Sequence, residues 1–149
     1  MLQATATTTA TPEDLFRHLV VPEAWGAWCK LPIPAKQGRK GDTSAYGVGT
    51  VRKLWPAVEQ TVVYEPYGHY AYIALSGLPV RRYRCDVYLE ARDNGTHLRW
   101  KAEFEPLVPG TGPLLRVWFR LVVSSLTRWL PAHTEHCPPD CPARSAGDI

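Results

Sequence analysis

Residues 110–133 run GTGPLLRVWFRLVVSSLTRWLPAH, the chain's one long helical pattern, and it is so apolar that the other segments must supply a broad cover for it. Leu114, Val117, Trp118, Leu121, Val122, Ser125 and Trp129 recur at spacings of three and four, which predicts a core-facing stripe on a helix of about five turns. Arg116, Arg120, Ser124 and Thr127 are expected on the opposite, solvent-facing side. Gly112 is a permissible N-cap, Pro113 suits the first helical position and Pro131 discourages continuation. Leu115, Phe119, Val123, Leu126 and Leu130 make even the positions off that stripe apolar. A β-sheet is the simplest cover for such a helix. Arginines interrupt the run well short of about 18 clean residues, which argues against a membrane span.

A chain of 149 residues has single-domain length and can bury roughly two thirds of its unfolded surface. The net charge of +3 is spread without blocks of like charge, so no nucleic-acid partner is expected. Six Trp, seven Tyr and three Phe say more, because rings at this density wall an apolar cavity as readily as they fill a core. The N-terminus carries no charged, apolar leader pattern, so a cytoplasmic protein with reduced cysteines is expected. Cys29 and Cys85 stand in apolar surroundings and read as buried packing residues.

At the start of the chain Leu2, Ala4 and Ala6 alternate with Gln3, Thr5 and Thr7, the period of a half-buried strand. Thr11-Pro12-Glu13-Asp14 then reads as an N-cap, a proline at the first helical position and an acidic first turn, with Leu15, Phe16, Leu19 and Val20 as the apolar face. A second short helix is predicted over residues 22–29, where Trp25 and Trp28 share a face. Residues 30–47, with Pro32, Pro34, Gly38, Gly41 and Gly47, show no period and read as a long loop. Strands are predicted at 47–55, 58–64, 69–75, 81–91 and 97–105, the last two flanking the hairpin signal Asp93-Asn94-Gly95. In the last strand Leu98, Trp100, Ala102 and Phe104 fall on one face, and its partner offers Tyr83, Cys85, Val87 and Leu89. A sheet dry on one side and wet on the other sits against a helix, and its twist opens a gap between the two layers where a ligand fits.

The pieces Thr11-Pro12-Glu13-Asp14-Leu15-Phe16, Trp25 to Trp28, Gly47-Val48-Gly49-Thr50-Val51-Arg52, Tyr64-Glu65-Pro66 with Tyr72, Gly95-Thr96 with Trp100, and Pro109-Gly110-Thr111-Gly112 follow one another in a characteristic order. Over residues 2–133 the chain thereby resembles the START/Bet v 1-like (SRPBCC) superfamily, specifically its bacterial polyketide cyclase/dehydrase-like proteins. The resemblance implies an α+β helix-grip fold: a curved antiparallel sheet of about six strands wrapped on the long helix, with two short helices after the first strand. It further implies a deep apolar cavity for lipids, polyketides, hormones or similar molecules. It does not imply one reaction, since relatives include aromatase/cyclases, transfer proteins and binding receptors.

Catalysis in such a cavity needs polar groups among apolar walls. Arg52, in the matching Gly-Val-Gly-Thr-Val-Arg motif, is the first candidate, to polarise a carbonyl or hold a carboxylate; its alternative is a solvent-facing strand arginine. Tyr72 is the second, as a phenol donating to a ketone or enolate, or else a core tyrosine. Trp28, Tyr70, Tyr83, Trp100, Phe104, Trp118, Leu121 and Val122 are the candidate ligand-contacting walls. Glu59, Glu65 and His69 are possible bases whose faces the pattern does not assign, and Arg116 and Arg120 are expected in solvent. The tail carries His133, His136, Cys137 and Cys141, but the cysteine spacing matches no known finger and no second pair stands elsewhere. The expectation is therefore one ligand-binding domain over 1–133, a flexible tail over 134–149, and no metal or other cofactor. The expected partner is a small hydrophobic ligand, with neither nucleic acid nor stable membrane insertion, on a monomer or homodimer. Binding is the leading function; a cyclase/dehydratase and a protein or membrane-surface interaction module are the alternatives.

Overall fold

The computed structural model describes residues 1–31, 34–147 and 149. Strand β1 (Leu2–Thr8) is followed by helix α1 (Pro12–Val20), a 3-10 turn (Pro22–Ala24) and the single-turn helix α2 (Trp25–Trp28). Strands β2 (Ala35–Arg39), β3 (Val51–Leu54), β4 (Ala57–Glu65), β5 (His69–Ser76), β6 (Val80–Arg92) and β7 (Gly95–Pro106) lead to the long helix α3 (Gly112–Glu135) and a short α4 (Pro142–Ser145). The seven strands form one antiparallel sheet in the order β1-β7-β6-β5-β4-β3-β2, with α3 packed mainly on β1 and β7. This is the helix-grip arrangement, with one strand more than the sequence pattern announces.

Local chemistry explains the elements. The Thr11 hydroxyl accepts a hydrogen bond from the Asp14 amide at 3.1 Å, capping α1 where the sequence pattern starts it. In the hairpin, Arg92 faces Gly95 across a two-residue Asp93-Asn94 loop. A Cβ at Gly95 would overlap the Thr8 carbonyl, so only glycine lets the end of β1 pass. The register sets Val87 beside Trp100, Cys85 beside Ala102 and Leu89 beside Leu98, all buried on the face toward α3.

The additional strand, β2, lies within the segment read as a loop. Its sequence Ala-Lys-Gln-Gly-Arg has no apolar alternation, because it is an edge strand whose charges discourage further pairing. Pro32, which helped to suggest the loop, lies outside the described residues. The strand predicted to begin at Gly47 begins at Val51; residues 47–50 turn instead, with Gly49 at a φ of +92°.

Two expectations at the C-terminus are corrected. The buried stripe of α3 is Leu115, Phe119, Val123, Leu126 and Leu130, whereas Leu114 (72 % exposed), Val117, Trp118 and Leu121 (61 % exposed) face outward. The helix carries two apolar stripes, and helical spacing alone cannot choose between them; the aromatic fit of Phe119 against Tyr83 (4.8 Å) and Phe104 (5.0 Å) shows which was chosen. Thr127, placed on the wet side, is buried at no polar cost because its hydroxyl donates to the Val123 carbonyl at 2.7 Å. Arg116 and Arg120 are exposed as expected.

The described residues after α3 pack against the domain. Pro131 removes one backbone donor without stopping the helix, which runs on to Glu135. Beyond it the chain folds back on α1: Arg17 donates to the carbonyls of Ala143 (3.1 Å) and Gly147 (2.6 Å), and Cys141 and Ala143 are buried. Among the described residues no helix is long and apolar enough to cross a membrane.

The inner face of α3 is open to direct test. Phe119→Ala should cost about 3–5 kcal/mol in chemical denaturation, while Leu121→Ala should stay within about 0.5 kcal/mol. The reverse order would restore the outer stripe as the core.

Candidate functional site

The last turn of α1 leaves carbonyls without helical partners, and three side chains satisfy them. Trp28 donates its indole N–H to the His18 carbonyl at 3.0 Å, Trp25 to the Leu19 carbonyl at 2.9 Å, and Arg52 its Nη1 to the same Leu19 oxygen at 3.2 Å. The negative end of the helix thus faces a guanidinium. Arg52 reaches it because Arg52 and Leu54 are the inward positions of β3, and the register sets Arg52 opposite Glu59 of β4. Arg52 Nε donates to Glu59 Oε1 at 3.1 Å, and Nη2 stands 3.0 Å from the same oxygen, off the hydrogen-bond axis. The guanidinium carbon lies 4.3 Å from the ring centres of both Trp25 and Tyr72. At 1 % exposure this cation survives through the carboxylate, the carbonyl and the two π faces together.

Beside the pair lies a cavity of about 320 Å³. Its buried wall includes Trp25, Leu54, Ala57, Tyr72, Tyr83 and Phe119, and its exposed rim is Pro56, Gly77, Pro79 and Trp118. The sheet curls away from α3 on the β3–β5 side, and the gap expected from twist is found there. Among the described residues Glu59 is the one carboxyl on this wall. Burial raises its pKa above the ordinary carboxylate value, with the Arg52 charge opposing the rise. Burial likewise works against the charge of Arg52, but Tyr70, Glu59 and Tyr72 more than offset it, so the guanidinium stays protonated. Tyr72 and Tyr83 are held well above the usual phenol range, first by burial, and are neutral donors at physiological pH. Burial pushes the Cys85 thiol up to about 12, so it packs rather than reacts.

The predicted residues divide by position. Tyr72, Tyr83, Trp118 and Val122 line the cavity. Arg52 is neither solvent-facing nor on the wall, since it stands behind Glu59. Trp28, Tyr70 and Trp100 are core residues outside the lining, and Phe104 packs on Phe119. Leu121 points to solvent because the helix presents its other stripe inward. Of the possible bases, Glu65 is exposed at the end of β4, and His69 lies on the far face of the sheet, 2.8 Å from Asp86 and stacked on Tyr88.

Glu59 reaches the wall through its parity with Ala57 and Thr61, a signal hidden because β4 mixes polar and apolar residues at both parities. Trp25, Leu54, Ala57, Leu78 and Pro79 are lining residues that the sequence reading passed over. Trp25 was legible as the neighbour of Trp28; the others come together only in the fold.

A family model described as polyketide cyclase / dehydrase and lipid transport matches residues 1–135. Among solved structures, a START superfamily protein from Mycobacterium smegmatis is similar at a TM-score of 0.75 and 15% identity, covering 92% of this chain and 98% of that one. Ara h 8.0201 follows at a TM-score of 0.71 and 15% identity, over 90% and 96%. A protein from Thermus thermophilus is similar at a TM-score of 0.67 and 20% identity, over 90% and 96%. No curated protein matches the sequence.

The buried pair makes an energetic prediction. Arg52→Met or Glu59→Gln alone should cost about 3–5 kcal/mol, and the double Arg52→Met/Glu59→Leu markedly less than the sum. The pH dependence follows from the raised Glu59 value. The folded state holds that proton more tightly, so the linked stability is present below the ordinary 4.5 and lost as pH rises through the folded value. Arg52→Met removes the opposing charge, so the Glu59 value rises further and stability should fall as pH rises above the ordinary carboxylate range, while the double variant should not show this fall. Simple additivity in urea unfolding would show the two side chains to be independent.

Proposed function

The chain belongs to the polyketide cyclase/dehydrase and lipid transport family, and from that premise we propose that it binds a small, largely apolar molecule between its sheet and α3. The observation that carries this reading is the cavity itself: about 320 Å³, walled by aromatic and aliphatic side chains, with Glu59, Tyr72 and Tyr83 as its ionisable oxygen groups. That is the composition of a site in which apolar area supplies affinity and a few polar atoms supply orientation. Glu59 Oε1 is occupied by Arg52, and among the described residues no hydrogen bond reaches Oε2. A ligand hydroxyl or phenol is the complementary group for that oxygen. Such a lipid or polyketide enters past the rim formed by Pro56, Pro79 and Trp118. An open cavity rather than a filled core also separates this reading from an interaction module.

A second reading rests on the raised pKa of Glu59. A carboxylate of heightened basicity on an apolar wall suits removal of a proton next to a ketone, with the phenols of Tyr72 or Tyr83 donating to the resulting enolate oxygen. Arg52 then acts by positioning Glu59 rather than by touching substrate. This is the chemistry that aldol cyclisation and dehydration require.

Native mass spectrometry of protein from its own host, with extraction of any bound molecule, tests the binding reading. The same experiment supplies the substrate for the catalytic one. Val122→Trp, which fills the cavity from the helix side, should weaken binding of the ligand or an environment-sensitive apolar dye about tenfold or more, or ~1.4 kcal/mol. Wild-type protein that holds no ligand and takes up no dye would sink the proposal. Retained binding with lost turnover in Glu59→Gln would favour the enzyme.

A further inference from the structure

Away from the cavity, four side chains of metal-ligand type converge where α1, the end of α3 and the tail meet. The ligand atoms of His18, His133, Cys137 and Cys141 all lie within 4.8 Å of one another. His18 Nε2 is 3.2 Å from Cys137 Sγ and 3.6 Å from Cys141 Sγ, and Cys141 Sγ is 3.5 Å from His133 Nε2. Zinc bonds of about 2.3 Å to sulfur and about 2.0–2.1 Å to nitrogen place neighbouring N and S ligands about 3.6 Å apart in a tetrahedron. The three N···S distances of 3.2, 3.5 and 3.6 Å are close to that edge length, and the remaining pairs lie within 4.8 Å, near enough to close on one ion.

The surroundings fit as well. His18 Nδ1 donates to the Asp14 carbonyl at 2.7 Å, which selects the tautomer whose Nε2 lone pair points into the cluster. Arg144 Nε donates to Cys137 Sγ at 3.3 Å and Nη2 to the Cys137 carbonyl at 3.2 Å, which fixes the sulfur and its backbone in place beside a positive charge. Two thiolates and two neutral imidazoles balance a divalent charge, which suits a site where His18 and Cys141 are buried.

We propose that His18, His133, Cys137 and Cys141 form a closed structural zinc site that fastens the C-terminal tail to α1. Binding Zn²⁺ releases the two thiol protons and leaves no open coordination position, so the role is structural rather than catalytic. The end of α3 and the tail offer three of the four ligands at the short spacing His133, Cys137, Cys141; the fourth stands 119 residues from Cys137 in sequence and arrives only through folding. The metal also bears on the cavity. The His18 and Leu19 carbonyls, which hold Trp28, Trp25 and Arg52, lie in the same helical turn as the His18 ligand.

The test uses the untagged, full-length chain purified without chelator. Elemental mass spectrometry should find about one zinc per chain. After removal of zinc, Co²⁺ should give the thiolate-to-cobalt charge-transfer band and intense visible bands of a tetrahedral site. Cys137→Ser, Cys141→Ser and His18→Asn should each lower metal affinity by at least about 100-fold, the upper end of what loss of a mere outer-shell partner costs. His136→Asn, whose side chain is outside the cluster, should leave it unchanged. Should His18→Asn fail to fold by circular dichroism, the half-exposed Cys137→Ser carries the comparison. Three outcomes overturn the proposal: folded, reduced wild-type protein that takes up neither metal; loss of binding in His136→Asn but not in His18→Asn; or freshly isolated protein whose two tail thiols are joined in a disulfide.

Discussion

A guanidinium in the interior must have its charge answered from every side, and the placement of Arg52 obliges four segments to meet. Glu59 comes from the neighbouring strand by register, the Leu19 carbonyl from the end of α1, Trp25 from α2 and Tyr72 from β5. Each alone is too weak to bring a cation out of water; together they make a compact electrostatic knot. The short helices are therefore more than a brace over the sheet. Their unpaired carbonyls and indole rings form the roof of this knot, and the knot forms the floor beneath Glu59.

The cavity follows from the same arrangement. α3 lies along β1 and β7, the part of the sheet that carries the cleanest apolar alternation, and leaves the β3–β5 side to the aromatic residues and the ion pair. Its inner stripe fills the core, while Trp118 and Val122 at the margin turn toward the gap. An exposed apolar stripe is costly in water, and here part of the second one, Trp118 and Val122, borders the cavity. The cluster of His18, His133, Cys137 and Cys141 sits at the same end of α1, so the last turn of the helix meets ligand-type side chains on one side and Trp25, Trp28 and Arg52 on the other.

Much of the architecture was written locally. The Thr11 cap, the Trp25–Trp28 pair, the alternation from Leu98 to Phe104 and the Asp93-Asn94 turn are short-range signals, and each element they announce is present. The misreadings share a cause: they are places where two local answers were equally good. An apolar helix with two stripes, an edge strand of Lys, Gln and Arg, and a β4 that mixes polar and apolar residues at both parities leave their orientation to partners distant in sequence.

The candidate site was legible in kind but not in roles. Tyr72, Tyr83, Trp118 and Val122 were found because aromatic and aliphatic residues on a sheet and helix already point to a wall. That Arg52 stands behind Glu59, rather than on the cavity wall, required the β3–β4 register. His18 reads in sequence as one more residue of a short amphipathic helix; its place beside Cys137 and Cys141 depends on a tail that folds back. The sequence by itself determined most of the elements, their order and the supply of aromatic rings, because propensity, capping and periodicity act over a few residues, and the helix-grip class followed from the resemblance those residues carry. Only the tertiary structure decided which stripe of α3 is core, which carboxyl meets the cavity and which histidine joins the tail, because those choices depend on contacts whose partners lie far apart along the chain.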